Sequence, residues 1–223
     1  MAFYSPFKIG FMPILFRMKL ECVLLTGGHL LVNVGGKIIK EKFMIEKETK
    51  RLLIRPLSEG DYDTWLEGFS NRLPSHHRHD QGEVDTSKWD YKGYVDVVRK
   101  HQKLALDDTA YIFAIFRKKD GTHLGFVDFS TLMREEFQWA AIGYSIHNQY
   151  WGNGYGKEAA KKGIEIAFRD LGYHRLEAHI NLDNPASVSL AKSIGMQYEC
   201  TRKDFIFEFG EWTDNLIYII NAN

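Results

Sequence analysis

The segment YWGNGYGKEA, at residues 150–159, places three glycines at alternate positions immediately before a run with helical spacing. Glycine loses more conformational freedom on folding than other residues, so three of them at a helix start require a reason. The first backbone N–H groups of a helix have no intrahelical acceptor, and the helix dipole adds partial positive charge there. Because Gly152, Gly154 and Gly156 have no Cβ, a phosphate group can bind directly on these amides, with Lys157 as a nearby cation. The alternative is a structural turn without a ligand.

The glycine spacing differs from that of two common phosphate-binding loops. A dinucleotide-binding loop has G-x-G-x-x-G early in a βαβ unit, with an acidic residue about 20 positions further on. This segment reads G-x-G-x-G and lies late in the chain. A P-loop has G-x-x-x-x-G-K-[ST], but here Lys157 is followed by Glu158. Taken alone, the loop therefore indicates an anion site and no particular ligand.

The elements that position this loop follow from the hydrophobic periodicity, which predicts the order β-α-α-β-β-β-α-β-α-β-β. A helix over residues 156–171 connects the strand before the loop to the strand RLEAHINL, and such a crossover makes the two strands parallel. Hairpin connections make the other pairs mainly antiparallel. The predicted fold class is α/β (α+β), a mixed, mostly antiparallel twisted sheet with flanking helices. A gap between splayed parallel strands at the glycine loop is a favoured ligand position.

Composition excludes some function classes. The 223 residues contain 29 Lys and Arg and 29 Asp and Glu, so the net charge is zero and gives no support for direct nucleic-acid binding. No run approaches the roughly 20 apolar residues of a membrane span, and no convincing signal peptide precedes the domain. Cys22 and Cys200 form neither a metal-type spacing nor a disulfide framework. We therefore expect a cytoplasmic location and no membrane partner.

The first residues differ in character from the rest, because basic residues interrupt their apolar stretches. We predict that residues 1–46 are an N-terminal extension, poorly ordered or loosely packed, and that residues 47–223 are the main domain. A second hypothesis is that the natural start is Met44, directly before the first well-patterned strand, and that residues 1–43 are a start-site artefact. An intact mass from the native source that includes residues 1–43 would refute it.

Three separated motifs carry a resemblance to a known family. The glycine loop, the segment LDNPASVSLAKSIGM and the segment FGEWTDNLIYII together resemble the GNAT superfamily of acetyl-CoA-dependent N-acetyltransferases. The variant they resemble is that of the ribosomal-protein alanine N-acetyltransferases (RimJ/RimL-like). The motifs occur in the family's order, and the resemblance covers about residues 47–221. It implies the GNAT fold, acetyl-CoA as the cosubstrate and an amine as the acceptor.

The resemblance also implies a set of cofactor-binding residues. The family holds the CoA pyrophosphate with an R/Q-x-x-G-x-G/A loop, of which Trp151, Gly154 and Gly156 take the first, fourth and sixth positions. The backbone amides of residues 152–157 would bind the pyrophosphate, and the edge of the preceding strand would pair with the pantetheine arm. The implied residues are Tyr144, Ser145, Ile146, Trp151, Gly152, Asn153, Gly154, Tyr155, Gly156, Lys157, Asn184 and Ser187.

Amide formation from a thioester needs a deprotonated amine, a polarised carbonyl and a proton for the leaving thiolate. A backbone N–H near Ser145 and Ile146 would meet the oxyanion. The family's N-x-x-S motif maps to Asn184 and Ser187, and the resemblance makes Ser187 the candidate acid for the CoA sulfur. Asn184 precedes Pro185, so it is also a good helix N-cap whatever its contact with CoA.

Two residues of the strand RLEAHIN are candidate bases. Glu177 and His179 share one face of the strand by alternation. Glu177 could act through a water molecule or could form a structural ion pair with Arg175 or Arg202. His179 has a suitable intrinsic pKa but could equally be a packed or surface residue. Many relatives read A-E-I-G-Y in the preceding strand, whereas this chain has Ala141 in place of the Glu, so a base at that position is absent.

The expected function is direct transfer of an acetyl group to a primary amine through a tetrahedral intermediate, because no cysteine lies near the motifs. The acceptor would be a protein N-terminus, such as that of a ribosomal protein, or a small amine, and the enzyme a monomer or homodimer. A non-catalytic acyl-CoA sensor is the alternative, and an RNA-associated role through the basic N-terminal stretch is a third. The histidines at positions 76, 77 and 79 suggest an exposed loop near the acceptor side rather than a metal site.

Overall fold

The computed structural model describes residues 21–25, 29–34, 37–38 and 45–223. It divides into two compact units, residues 1–40 and residues 41–223. The described part of the first unit is an antiparallel three-stranded sheet of β1 (Glu21–Leu25), β2 (His29–Val34) and β3 (Lys37–Ile38). Residues 45 and 46 of the predicted extension are described with the second unit, and the rest of the extension, including the candidate start at Met44, lies outside the described residues.

The second unit is built on an eight-stranded sheet with the order β10-β11-β9-β8-β7-β6-β5-β4. Its strands are β4 (Lys47–Glu48), β5 (Leu52–Arg55), β6 (Ala110–Arg117), β7 (His123–Met133), β8 (Trp139–Ile146), β9 (Arg175–Asn181), β10 (Gln197–Glu208) and β11 (Glu211–Asn221). All neighbours are antiparallel except β8 and β9, which are parallel. This confirms the predicted mixed sheet; the short strand β4 is an addition that the periodicity does not indicate.

Four helices flank the sheet: α1 (Tyr62–Ser70), α2 (Tyr91–Leu106), α3 (Tyr155–Arg169) and α4 (Pro185–Ser193). Asp90 caps α2 by accepting the N–H of Gly93 at 2.8 Å, as short polar side chains do at helix starts. Asp61 stands at the N-cap of α1, but its carboxylate binds Arg55 and Ser58 instead of the helix. Within the described residues, no helix combines the length and the apolar character needed to cross a bilayer.

The sheet separates two hydrophobic cores. On one face, α3 and α4 cover a core that includes Phe113, Val127 and Ile142. On the other face, α1 and α2 cover a second core, in which the rings of Trp65 and Trp89 stack with centroids 5.0 Å apart. Burying each large apolar side chain stabilises the fold by about 2 kcal/mol, so each core holds its two helices against one face of the sheet. The two faces of β7 and β8 therefore have different surroundings.

The parallel pair β8 and β9 splays apart. Their register couples residues 139–141 to residues 175–177 and ends there. Beyond Ala141, β8 stays paired with β7 on its other edge, and β9 stays paired with β11. The edge of β8 over residues 142–146 therefore has no neighbouring strand among the described residues, although its backbone groups still need partners. The gap opens toward the glycine loop, as predicted.

Candidate active site

The glycine loop adopts a backbone that favours glycine. After β8 and a short 3₁₀ turn over residues 148–150, φ is 77° at Gly152 and 75° at Gly154. Gly154 is the N-cap of α3. A Cβ on Gly152 would meet no atom within 4 Å, so the space beside the loop is open. A left-handed backbone costs a residue with a side chain about 1–2 kcal/mol, which explains the glycines at these two positions.

The backbone amides of the loop point to an anion site. The helical hydrogen bonds of α3 begin with the N–H of Glu158, which donates to Gly154 O at 3.2 Å. Among residues 45–223, no acceptor binds the N–H groups of residues 152–157. Lys157 is exposed beside them. Free N–H groups at the positive end of a 15-residue helix can bind a phosphate.

Arg51 of the loop before β5 braces the glycine loop. Its Nε lies 2.7 Å from Glu158 Oε2, and its Nη1 donates to Asn153 O at 2.9 Å. Its guanidinium also lies 4.6 Å from the ring centre of Tyr155. The pKa of Glu158 lies below its ordinary value. Burial by itself would raise this pKa, but the hydrogen bonds from Thr49 and Arg51 outweigh that effect. The loop is therefore pre-formed by charged contacts that sequence reasoning missed, since 102 residues separate Arg51 from Asn153.

Two predicted cofactor-binding side chains are used within the loop. Asn153 Nδ2 donates to the carbonyls of Tyr150 and Trp151, both at 3.0 Å. Trp151 Nε1 donates to Ile146 O at 2.7 Å. These side chains therefore shape the loop, and a ligand would meet the backbone of Asn153 and the half-exposed indole of Trp151.

The histidine loop, residues 72–82, lies against the glycine loop. The imidazole rings of His76 and His77 each lie 5.7 Å from the Trp151 ring, and His77 is stacked on it. His79 Nε2 lies 2.7 Å from Asp183 Oδ1, directly before Asn184. Within the described chain, no group of three His, Cys, Asp or Glu side chains has a metal-binding arrangement. The histidines thus link the glycine loop to the N-terminus of α4.

A buried ion pair anchors the histidine loop. Arg72 Nη2 and Asp80 Oδ1 lie 3.1 Å apart, with both side chains at most 5% exposed. Asn148 joins this pair to the turn after β8, because its Nδ2 donates to Asp80 Oδ2 at 3.0 Å and its Oδ1 accepts the N–H of Leu73 at 2.8 Å. Burial opposes ionisation of Asp80, but hydrogen bonds from His76, Gly82 and Asn148 keep its pKa lowered. No sequence pattern indicates this network, since isolated Arg, Asp and Asn residues in a polar loop are common.

Ser187 and Asn184 come together with Tyr144 of β8. Asn184 Oδ1 accepts the N–H of Ser187 at 3.1 Å, as expected of the N-cap of α4. Tyr144 Oη lies 3.1 Å from Ser187 Oγ. Burial raises the pKa of Tyr144, although the bond to Ser187 lowers it in part, so the phenol keeps its proton. The pair joins β8 to α4 and offers two hydroxyl donors beside the gap.

Glu177 is the centre of a buried charge cluster. It is 1% exposed, and its carboxylate lies 2.9 Å from Arg175 Nη2, 3.1 Å from Arg202 Nη1 and 3.1 Å from His179 Nε2. The pKa of Glu177 lies below its ordinary value. Burial by itself would raise this pKa, but the hydrogen bonds from His179 and Arg175 and the charge of Arg202 outweigh that effect. These contacts favour the structural ion pair over the base role, and they also occupy His179.

One hollow of the described surface lies away from the glycine loop. It occupies about 700 Å³ at the far end of β8 and α3. Its lining residues are Asp108, Arg134, Glu135, Glu136, Gln138, Leu171 and Gly172. None of these residues belongs to the glycine loop or to the gap between β8 and β9, so this hollow does not mark the candidate site.

Comparisons with known proteins agree with this geometry. A family model described as an acetyltransferase (GNAT) domain matches residues 51–197. The uncharacterised N-acetyltransferase p20 of Bacillus licheniformis is 27% identical over 157 residues, which cover 70% of this chain and 85% of that protein. The ribosomal protein uS5-alanine N-acetyltransferase of Escherichia coli is 28% identical over 109 residues, which cover 49% of this chain and 56% of that protein. Mycobacterium smegmatis RimJ, solved in complex with CoA-disulfide, has a TM-score of 0.63 at 20% identity, covering 77% of this chain and 82% of that one.

Proposed function

The chain belongs to the GNAT acetyltransferase family and is an acetyl-CoA-dependent N-acetyltransferase, and we propose that its acceptor is the N-terminal amine of a protein. The observation that carries this proposal is an apolar rim on the β10–β11 hairpin. Phe207, Phe209 and Trp212 are 53–61% exposed there. Phe209 contacts His79, which in turn binds Asp183 beside the N-terminus of α4. Exposed aromatic residues at a site mouth suit a polypeptide, whereas a polyamine would need carboxylates.

Several features support the binding of acetyl-CoA at the glycine loop. The free N–H groups of residues 152–157 would hold the pyrophosphate, and the open edge of β8 over residues 142–146 would pair with the pantetheine arm. Asn184 and Ser187 would lie beside the thioester. When bound, acetyl-CoA supplies an acetyl group already activated for transfer. The acceptor proposal also places the enzyme in the cytoplasm, where ribosomal proteins are made.

Two hydroxyl groups of this chain are placed for one proton transfer of the reaction, the donation of a proton to the leaving sulfur. Ser187 Oγ, within 3.1 Å of Tyr144 Oη, would donate a proton to the leaving sulfur, and Tyr144 would orient that hydroxyl. A backbone N–H on the open edge of β8, near Ser145 or Ile146, would stabilise the negative charge that develops on the carbonyl oxygen. The chain would thereby act on the acyl donor from β8 and α4 together.

Ser187→Ala is expected to lower kcat about tenfold, because general acid assistance is lost while binding of acetyl-CoA is retained. Tyr144→Phe keeps the packed ring and removes the hydroxyl, so a smaller loss in the same parameter is expected. Steady-state kinetics of both single variants and of the double variant test this. Losses that multiply in the double variant would contradict a joint action of the two hydroxyls, which predicts that the second substitution adds little.

The acceptor proposal predicts turnover with N-terminal peptides of ribosomal proteins. Thiol release from acetyl-CoA would be measured with such peptides, with the same peptides blocked at the N-terminus, and with spermidine and free amino acids. We expect turnover with the free peptides and none with the blocked ones. Turnover with small amines alone would contradict the acceptor, and tight CoA binding without turnover on any amine would favour the acyl-CoA sensor.

A further inference from the structure

The carboxyl group of Asp128, in the middle of β7, has no partner. The residue is 8% exposed, and no other described residue hydrogen-bonds to it or forms an ion pair with it. Burying a carboxylate without a partner is costly, so buried charges in proteins are usually paired. An unpaired carboxyl group in a sheet interior is thus a candidate for a role in chemistry.

The register of the sheet places Asp128 on the face covered by α1 and α2, beside the open edge of β8. Asp128 lies opposite Ile112 of β6 and Gly143 of β8, and Ile112 belongs to the core under α1 and α2. Residues directly opposite one another share a face, so Asp128 is on the face away from α3. A Cβ on Gly143 would lie 2.5 Å from Asp128 Oδ1, so the side chain extends across that glycine. Gly143 is on the part of β8 whose other edge is open.

The same face stays accessible along β8. Ala141 and Gly143 are half-buried, and Ser145 is exposed, although α1 and α2 cover the neighbouring strands. Ala141 is a diagonal neighbour of Asp128 on this face, because Asp128 pairs with Gly143 and Ala141 pairs with Ser130, two residues along each strand. The absence of a side chain at Gly143 and the methyl group of Ala141 leave room above the open edge. An amine entering from this side would meet the Asp128 carboxyl group.

The other ionisable groups facing this side are neutral or paired. Burial lowers the pKa of His123 to about 3 and also lowers that of His147, while burial raises that of Tyr94 on α2. Arg72 and Asp80, after α1, bind each other. Burial alone raises the pKa of Asp128 to about 7. An N-terminal ammonium has an ordinary pKa near 8, so proton transfer to such a carboxylate is nearly balanced, whereas an alkyl ammonium near 10 matches less well.

We propose that Asp128 is the general base that deprotonates the acceptor amine, a role that rests on the proposed function. The Asp128 carboxylate accepts one proton from the acceptor ammonium. The neutral nitrogen forms a bond to the acetyl carbonyl carbon, and the carbon–sulfur bond breaks with its electron pair on sulfur. The sulfur takes the Ser187 proton, the second proton of the nitrogen restores that hydroxyl through solvent, and Asp128 releases its proton to water.

Two substitutions separate this role from a structural one. Asp128→Asn keeps the shape and removes the base, so we expect kcat to fall by about 100-fold or more. Affinity for CoA, measured by calorimetry, is expected to stay unchanged, and the melting temperature at pH 8 to rise because an unpaired buried charge is removed. Asp170→Asn, at the C-terminal end of α3, is the matched control and should retain wild-type turnover.

The pH profile is the second measurement. The active form of Asp128 is the carboxylate, so kcat of the wild type should rise with pH through an apparent pKa near 7 and then level off. The Asn variant should lack this limb. Retained kcat in Asp128→Asn, or a loss in KM alone with the limb preserved, would overturn the inference. A wild type that acetylates no amine refutes the proposed function instead, so the two failures are distinguishable.

Discussion

Gly154→Ala is expected to weaken binding of CoA about 100-fold while the domain stays folded. The new Cβ would lie 3.6 Å from Arg51 Nη2, which is an ordinary contact, so the fold has room for it. The φ of 75° disfavours alanine, and relaxing that strain turns the free N–H groups at the start of α3 away from a common point. Each hydrogen bond to a charged phosphate contributes about 1.5–3 kcal/mol, so misplacing one or two accounts for the expected loss.

Two glycines provide matched controls for this variant. Gly172 has a φ of 71° and open space around a Cβ, but it follows the other end of α3, so Gly172→Ala should show the same backbone cost and unchanged CoA affinity. Gly156 takes the sixth position of the R/Q-x-x-G-x-G/A loop, where alanine also occurs, it has no positive φ, and a Cβ there would lie 3.6 Å from Ile146 and Leu190; Gly156→Ala should therefore keep its N–H in place and bind CoA normally. Calorimetric titration with CoA, alongside thermal melting, distinguishes the three. Equal affinity for Gly154→Ala and Gly172→Ala would contradict the anion site at the glycine loop.

Glu177→Gln is expected to lower the free energy of unfolding by about 3 kcal/mol and to leave kcat within about threefold of the wild type. The substitution keeps the shape of the side chain but leaves Arg175 and Arg202 facing a neutral group at a position that is 1% exposed. The two arginines remain partly exposed, which places the cost at the lower end for a broken buried ion pair. Urea unfolding at pH 7.5 and steady-state kinetics measure the two effects.

The pH dependence of stability gives this prediction a second check. The pKa of Glu177 is lower in the folded state, so its contribution to stability is present above the unfolded pKa of about 4.3 and is lost as pH falls through the folded value. The Gln variant should therefore lose less stability than the wild type between neutral and acid pH. A large fall in kcat with little change in stability would instead support the base role for Glu177.

Local signals in the sequence were sufficient for much of the architecture. The change from a helical to a strand-like period after α2, the hairpin turn before β7 and the Asn-Pro pair at α4 each have a short-range physical cause, and the element order that they predict is observed from β5 onward. The glycine loop was also visible, because its backbone conformation restricts the residue type. The parallel pairing of β8 and β9 followed from the crossover connection, but that connection does not by itself make the strands splay.

The contacts that complete the site could not be derived in this way. Arg51 reaches Glu158 across 107 positions, and nothing in the composition of either segment indicates the pairing. Asp128 appears in the strand pattern GFVDFS as an ordinary polar residue that alternation would place toward solvent. Its burial is a property of the strand neighbours and the helices on that face. Alternation assigns a residue to one face of the sheet, but tertiary packing decides whether that face is exposed to solvent.

Amide hydrogen exchange with and without CoA tests whether the open edge of β8 and the glycine loop form the acetyl-CoA site. We expect slower exchange on CoA binding at residues 142–146 and at residues 152–157, because the N–H groups of 152–157, and those of 142–146 that point away from β7, have no acceptor among the described residues. Residues of the hollow around Arg134 and Gly172 should exchange as before. If saturating CoA protects that hollow, or leaves exchange at both predicted segments unchanged, acetyl-CoA does not bind at β8 and the glycine loop.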